Sequence, residues 1–395
     1  MRFVRLGDVA DVRLGRQRSP KNHQGPGMRP YLRAANVGWD GLKLEDVLTM
    51  NFTDAEMSQY RLEPGDILLS EASGSALEVG KPALWEGQIA ECAFQNTLIR
   101  VRPRNHEPRY LLHYFKWLAA SGRTAAMSRG VGIYHLGQAA VAEAHVPQPP
   151  FGAQRRIAAI LDKVAELRDA RLRTIDALGD LAKQAFQAEI AGERGWPTVT
   201  IGELATARGA IRTGPFGSQL LHSEFVDEGV AVLGIDNAVT NEFRWAQRRF
   251  ITEEKYRQLK RYTVHPGDVI ITLMGTCGRT AVVPSDIPLA INTKHLCCIT
   301  PDDDKCLPEF LHASFLWQPL AQSHLKRSTK GGIMDGLNMG IIKEVPVLLA
   351  PLDEQLRIVD RLGRQRASLN RARAALDALD RLHAALQVRA FKGGL

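Results

Sequence analysis

Five cysteines in 395 residues (Cys92, Cys277, Cys297, Cys298 and Cys306), none in a Cys-x-x-Cys spacing, leave neither a disulfide framework nor a familiar zinc pattern. An odd count without a secretory leader fits a reducing cytosol. His295 lies close to Cys297 and Cys298, but adjacent cysteines inside an apolar run read as a buried strand, and no metal is expected. No apolar run approaches the ~20 residues that span a bilayer, so a soluble, cytoplasmic chain is expected. Catalytic signatures are also missing. Gln148-Pro-Pro-Phe151 imitates an amino-methyltransferase motif, but carries glutamine where the target amine needs its acceptor, and no glycine-rich cofactor loop follows a strand upstream. The stretch Gly74 to Lys81 has the wrong spacing for a phosphate loop, with Pro82 where a magnesium-binding hydroxyl belongs. The acidic run Pro301-Asp-Asp-Asp304 reads as an exposed turn. Neither Gly-x-Ser-x-Gly nor His-Glu-x-x-His occurs. These absences exclude an evident active site and a resident cofactor.

What the chain does have, it has twice. Pro150-Phe-Gly-Ala-Gln154-Arg-Arg-Ile157 returns as Pro351-Leu-Asp-Glu-Gln355-Leu-Arg-Ile358, at an offset of 201 positions. Apolar residues then recur at helical spacing, as Ile157, Leu161, Val164, Leu167, Ile175, Leu178 and Leu181, and as Ile358, Leu362, Leu369, Leu376, Leu379, Leu382 and Leu386. Each segment reads as one long amphipathic helix, roughly 55 to 60 Å at ~1.5 Å per residue. The copies close on Ala185-Phe186 and Ala390-Phe391, now 205 apart. Four extra residues make about one turn, which returns the apolar face to nearly the same side.

The segments before the helices repeat as well. Val4-Arg-Leu6-Gly7-Asp8-Val9 answers Val199-Thr-Ile201-Gly202-Glu203-Leu204, and Pro64-Gly65-Asp66-Ile67-Leu68-Leu69-Ser70 answers Pro266-Gly267-Asp268-Val269-Ile270-Ile271-Thr272, a turn feeding a buried strand. Pro108-x-Tyr110-Leu111-x-x-x-Phe115-x-Trp117 answers Pro308-x-Phe310-Leu311-x-x-x-Phe315-x-Trp317, a helix started by proline. The fold class is therefore a tandem α/β (α+β) repeat. Globular parts are expected over residues 1–149 and 193–349, and helices over 150–192 and 350–395, paired antiparallel as a coiled-coil spacer. With 45% apolar residues each half can bury a core, and a net charge of +8 with pI ≈ 9.3 favours a polyanionic partner. Arginines concentrate on the helices, where the plain alternative is a solvated face.

Between the matching blocks the halves diverge. Gly15-Arg-Gln-Arg18-Ser-Pro-Lys21 stands where the second half has Arg208-Gly-Ala-Ile-Arg212-Thr213-Gly-Pro-Phe-Gly217-Ser-Gln219. Glycines beside hydroxyls and an amide let backbone N–H groups approach a phosphate while Gln219 reaches a base; a tight structural turn is the plain alternative. Arg129-Gly-Val-Gly132-Ile-Tyr134-His135 and Lys330-Gly331-Gly332 each place a cation on a glycine loop just before the long helix. Asn36 and Asn237 end matched strands and suit bidentate adenine contact or, equally, a turn.

Two variable domains, each followed by a Pro-x-x-x-Gln-x-x-Ile helix, together with Thr213-Gly-Pro-Phe-Gly-Ser-Gln219 and the paired Pro-Gly-Asp turns, resemble the DNA specificity subunit of Type I restriction-modification systems over the whole chain. The first helix departs in carrying Gly152-Ala153 where the second has Asp353-Glu354. The resemblance implies two target-recognition domains on double-stranded DNA, each reading half of a split site. It also implies paired helices that fix the gap and dock two methyltransferase subunits carrying S-adenosylmethionine, with motor-nuclease subunits adding cleavage. On that reading Arg129, Arg212 and Lys330 meet phosphates, Thr213 belongs to the contact loop, and Gln219, Asn36, Asn237, Tyr134 and His135 meet bases. Gln154, Ile157, Gln355 and Ile358 would meet partner subunits. The competing readings are a non-catalytic coiled-coil scaffold with nonspecific DNA affinity, and an enzyme with a degenerate site.

Overall fold

The computed structural model describes residues 2–130, 132–192, 195–206, 210–245, 247–328 and 336–392. The chain divides into two compact units, Met1–Leu172 with Ala374–Leu395, and Arg173–Arg373. Each unit therefore takes part of both long helices, Phe151–Ile190 and Leu352–Lys392.

The first unit is built on an antiparallel sheet in the order Ala10–Leu14, Leu98–Pro103, Ile67–Ser70, Pro82–Leu84; the second has the same order, Ile211–Thr213, Leu296–Ile299, Val269–Thr272, Thr280–Val282. The registers correspond: Leu68 faces Arg100, which faces Arg13, and Ile270 faces Cys298, which faces Arg212. The central strands Ile67–Ser70, Val269–Thr272 and Leu296–Ile299 are buried throughout, so they read as nearly continuous apolar runs instead of alternating ones. In the second unit Val269, Ile271 and Cys297 enter one apolar cluster while Ile270, Leu296 and Cys298 enter another. The adjacent cysteines thus point to opposite sides of a buried strand, and burial pushes the Cys297 thiol up to about 12.

Both Pro-Gly-Asp turns are built alike. Gly65 and Gly267 have φ of +97° and +81°, which a side chain would strain, and each lies against the proline that opens the next helix, Pro108 or Pro308. The aspartates are fully buried. Asp66 accepts from the Glu63 amide and Asp268 from the His265 amide, both at 2.8 Å, and each takes an arginine, Arg102 at 2.7 and 2.8 Å and Arg212 at 2.7 Å. A buried carboxylate without such a partner would cost several kcal/mol.

The repeated glutamine and isoleucine dock each long helix on its own unit. Gln154 accepts from the Glu107 amide and donates to Pro149 O, both at 2.9 Å. Gln355 accepts from the Leu307 amide at 2.9 Å and donates to Lys305 O and Ala350 O at 2.9 and 2.7 Å. Ile157 and Ile358 lie in the main apolar cluster of their units. This corrects the expectation that these four residues meet partner subunits: all are buried, and both amides are committed internally.

The Ala-Phe repeat explains the other half of the helix packing. Phe391, from the end of the second helix, sits among Tyr110, Tyr114 and Trp117 of the first unit, with ring centroids 5.3 to 5.5 Å apart. Phe186, from the end of the first helix, packs on Phe310 and Trp317 of the second unit at 6.1 and 5.7 Å. Within each unit the helices run antiparallel, clipped by Arg168–Asp380 in the first and Arg361–Glu189 in the second.

Candidate nucleic-acid interface

In both units a variable loop leaves the sheet at a glycine with no room for a side chain. A Cβ on Gly15 would lie 2.2 Å from Gln95 O, and one on Gly214 would lie 2.0 Å from Asn292 O. Backbone so close to backbone anchors the root of the loop while its sequence is free to differ.

In the second unit the chain runs from half-buried Thr213 through buried Pro215 to Phe216, which is 59% exposed. Gly217 follows with φ +55° and opens a 3₁₀ turn, Gly217–Gln219. Gln219 is exposed, and its Oε1 accepts from Tyr262 Oη at 2.9 Å. Beside the loop lies a cleft of about 330 Å³, bordered by Gly217, Leu220, Asp236, Arg249, Lys294 and His295. Asp236 and Arg249 neutralise each other at 3.0 Å. Burial, and then Lys294, hold the His295 imidazole below its ordinary pKa, so it enters neutral solution uncharged. Lys294, Lys260 and Arg261 are exposed, and none has a carboxylate partner among the described residues.

In the first unit the loop after Gly15 has another composition. Arg16 is consumed by Glu56 at 2.6 Å and by the face of Phe52, whereas Arg18, Lys21 and His23 are exposed and have no carboxylate partner among the described residues. A second loop pair forms nearby. Tyr134 and His135 pair with Ser73 and Ala72, exposed Arg129 bridges to His135 through the backbone, and the exposed Leu77 and Ile133 flank them. The His135 ring is 3.2 Å from Glu71. The Leu136 amide returns to Glu71 O at 2.7 Å, as the Leu337 amide returns to Leu273 O at 3.0 Å, so the chain rejoins the two scaffolds in the same way. Lys330 lies outside the described residues.

Three expected contacts prove to be structural. Asn36 is 2% exposed; it accepts from the Arg33 amide and donates to Lys43 O and Asp46 O at 2.9 and 3.0 Å. Asn237, 1% exposed, repeats this, accepting from the Gly234 amide and donating to Arg244 O. Both close turns and have no edge left for adenine. Arg212 spends its guanidinium on Asp268, Thr300 Oγ1, Ala210 O and Thr263 O, which removes it from the phosphate contacts. Sequence reading did not single out the exposed cations Arg18, Lys21, Lys260, Arg261 and Lys294, or His23, as candidates. The signal available was position, since a strand ending on a packed glycine marks where a divergent loop begins.

A family model described as the Type I restriction modification DNA specificity domain matches residues 1–176 and again 193–375. Among similar proteins, the EcoKI specificity subunit of Escherichia coli K12 is 24% identical over 390 residues, covering 93% of this chain and 82% of that protein. The EcoBI specificity subunit of Escherichia coli is 21% identical over 392 residues, covering 90% and 79%. In fold, the chain resembles a structure described as the basis of complex assembly and conformational transition of the type I R-M system, with TM-score 0.63, 20% identity, and 100% and 98% coverage. It also resembles the S subunit of the Type I restriction-modification system from M. genitalium, with TM-score 0.55, 12% identity, and 99% and 96% coverage. With both halves matched by the same family model on a duplicated scaffold, the chain belongs to the DNA specificity family of Type I restriction-modification systems.

Proposed function

We propose that the chain is the reading subunit of a Type I restriction-modification complex and recognises a split site on double-stranded DNA. Residues 1–149 read one half and residues 193–349 the other. The observation that carries this is the loop at each packed glycine: one scaffold occurs twice and presents two unlike, exposed loops, with Arg18 and Lys21 on the first and Lys260 and Arg261 beside the second. A scaffold alone has no need for divergent loops.

Cations without internal partners suit phosphates and place the protein on the duplex, while the amide and aromatic groups beside them select bases. Arg129, Tyr134 and His135 of the first half, and Thr213 and Gln219 of the second, remain on this surface. Transfer chemistry falls to other subunits: two methyltransferases, each with S-adenosylmethionine, and motor-nuclease subunits in a cytoplasmic complex. Because Gln154, Ile157, Gln355 and Ile358 are occupied, partners dock on the exposed helix residues, among them Leu167, Leu172, Leu181 and Leu382. Half-sites whose centres lie about one DNA turn apart, roughly 34 Å, would present the same face to both readers.

The test is selection from a randomised duplex library by the chain co-expressed with its methyltransferase partner, at fixed near-physiological salt. Enrichment of two short unlike halves with a constant gap is expected. Salt-sensitive binding without a motif would reduce the chain to a basic scaffold.

A further inference from the structure

We infer that Arg261 reads a guanine in the second half-site, aimed by Tyr262 and Gln219; this deepens the recognition reading above and rests on it. Arg261 sits in the 3₁₀ turn Lys260–Tyr262, its Cζ 4.7 Å from the centroid of the buried Tyr262 ring. Its Nη2 donates to Tyr262 Oη at 2.6 Å, and that hydroxyl is 2.9 Å from Gln219 Oε1. A guanidinium has no acceptor, so the tyrosine must receive from Arg261 and pass its own hydrogen to Gln219. The relay thereby fixes which end of the amide faces inward. Gln219 Oε1 is spent on Tyr262, with Arg261 a further 3.4 Å contact, which leaves its Nε2 as the end the relay does not engage.

What remains on the surface is a set of donors: the free edge of a stacked guanidinium and the Gln219 amide hydrogens. Gln219, expected to meet a base, therefore does so as a donor. In the major groove guanine alone offers two adjacent acceptors, O6 and N7, which match a guanidinium edge in two hydrogen bonds. Adenine and cytosine place an amino donor against it. Arg261 is also free to act, since no carboxylate holds it among the described residues, whereas Arg212 and Arg249 are held by Asp268 and Asp236. Stacking and the hydroxyl bond pre-order the side chain, which lowers the entropy lost on binding. Lys260, its neighbour in the same turn, is exposed and suits a phosphate.

The first half keeps the tyrosine but not the reader. Counting back from the two Pro-Gly-Asp turns, Tyr60 corresponds to Tyr262, while Gln59 and Ser58 stand at the places of Arg261 and Lys260. Gln59 Oε1 there accepts from Arg13 at 3.2 Å. The guanine reading is thus confined to one half.

The experiment is the same duplex selection with the co-expressed complex, comparing the natural chain with Arg261→Ala, Arg261→Lys and Tyr262→Phe, followed by affinities on the selected site. The natural chain should select a guanine at one fixed position in one half. Arg261→Ala should erase that preference with a roughly ten- to hundredfold loss on the selected site and little loss on sites lacking the guanine. Arg261→Lys should restore affinity more than base choice, because a single ammonium lacks the two-pronged fit. Tyr262→Phe should weaken the preference without removing it. The other half-site, read by the same molecule, must stay unchanged and so reports folding. If Arg261→Ala weakens all duplexes equally and flattens the salt dependence, Arg261 is a phosphate contact and the inference falls while split-site recognition stands. An unchanged motif also overturns it. Absence of any split motif for the natural chain would remove the recognition reading first.

Discussion

A buried glutamine at the head of each long helix binds the loop in front of the preceding helix, through both its oxygen and its nitrogen. Gln355→Ala would leave the Leu307 amide and two carbonyls without partners in a dry site, a loss of about 2 to 4 kcal/mol at roughly 1 to 3 kcal/mol per unsatisfied group with partial relief by water. Thermal or urea unfolding of the complex should show that loss, with the selected DNA motif unaltered; a changed motif at unchanged stability would return Gln355 to an interface role. The same residue scale shows why some site residues could not be read from sequence. Asn36, Asn237 and Arg212 have side chains suited to DNA and stand beside divergent loops, yet each is taken by backbone or by a buried carboxylate supplied from elsewhere in the fold. Residue type states what a group can bind; only packing states whether it is already bound.

The long helices act at the scale of elements. Their repeated Phe is the plug of an aromatic socket, and the socket residues Tyr110 and Trp117, with Phe310 and Trp317, were already paired by sequence as the repeated helix. What the sequence did not disclose was the exchange. The Phe ending the first helix serves the second unit, and the Phe ending the second helix serves the first. Periodicity identifies an apolar face but not the surface it meets. Phe391→Ala should destabilise the first unit by about 3 to 5 kcal/mol through the cavity it leaves, while hydrogen exchange in the second unit stays close to natural. Uniform loosening of both units would contradict this.

The helix-facing surfaces also carry a pH response. Burial, reinforced by Arg366, drives His312 from 6.5 down to about 4, and burial with Arg168 drives His383 down to about 4. Above pH 6.5 both states of the chain are neutral at these positions. Between about 6.5 and 4 the unfolded chain takes protons that the folded chain refuses, so stability falls with falling pH, and the loss levels off below 4. For His312 it amounts to about 2 kcal/mol at pH 5. Melting temperatures measured from pH 7.5 to 5 should fall more steeply for the natural chain than for His312→Gln, and parallel curves would exclude the histidine.

For the whole molecule, duplication is the strongest signal in the sequence, because a scaffold that must bury the same core twice keeps the same turns, strands and helix starts. The paired Pro-Gly-Asp turns, the apolar central strands and the proline-led helices were legible for that reason. The reading surface was not, since it is made of the segments that differ, and Arg261 is drawn to Gln219 by a fold that separates them by forty-two positions in the chain. The central claim is that two independent readers share one chain. It is tested most directly by mapping methylated bases in DNA from cells expressing the chain with its methyltransferase partners, first natural and then with Lys21→Ala in the first loop or Arg261→Ala beside the second. The account predicts that every modified base lies in one motif of two unlike halves with a fixed gap, and that Arg261→Ala relaxes one half only, while Lys21→Ala lowers modification without altering either half. A single contiguous motif, or both halves relaxing together, would contradict it.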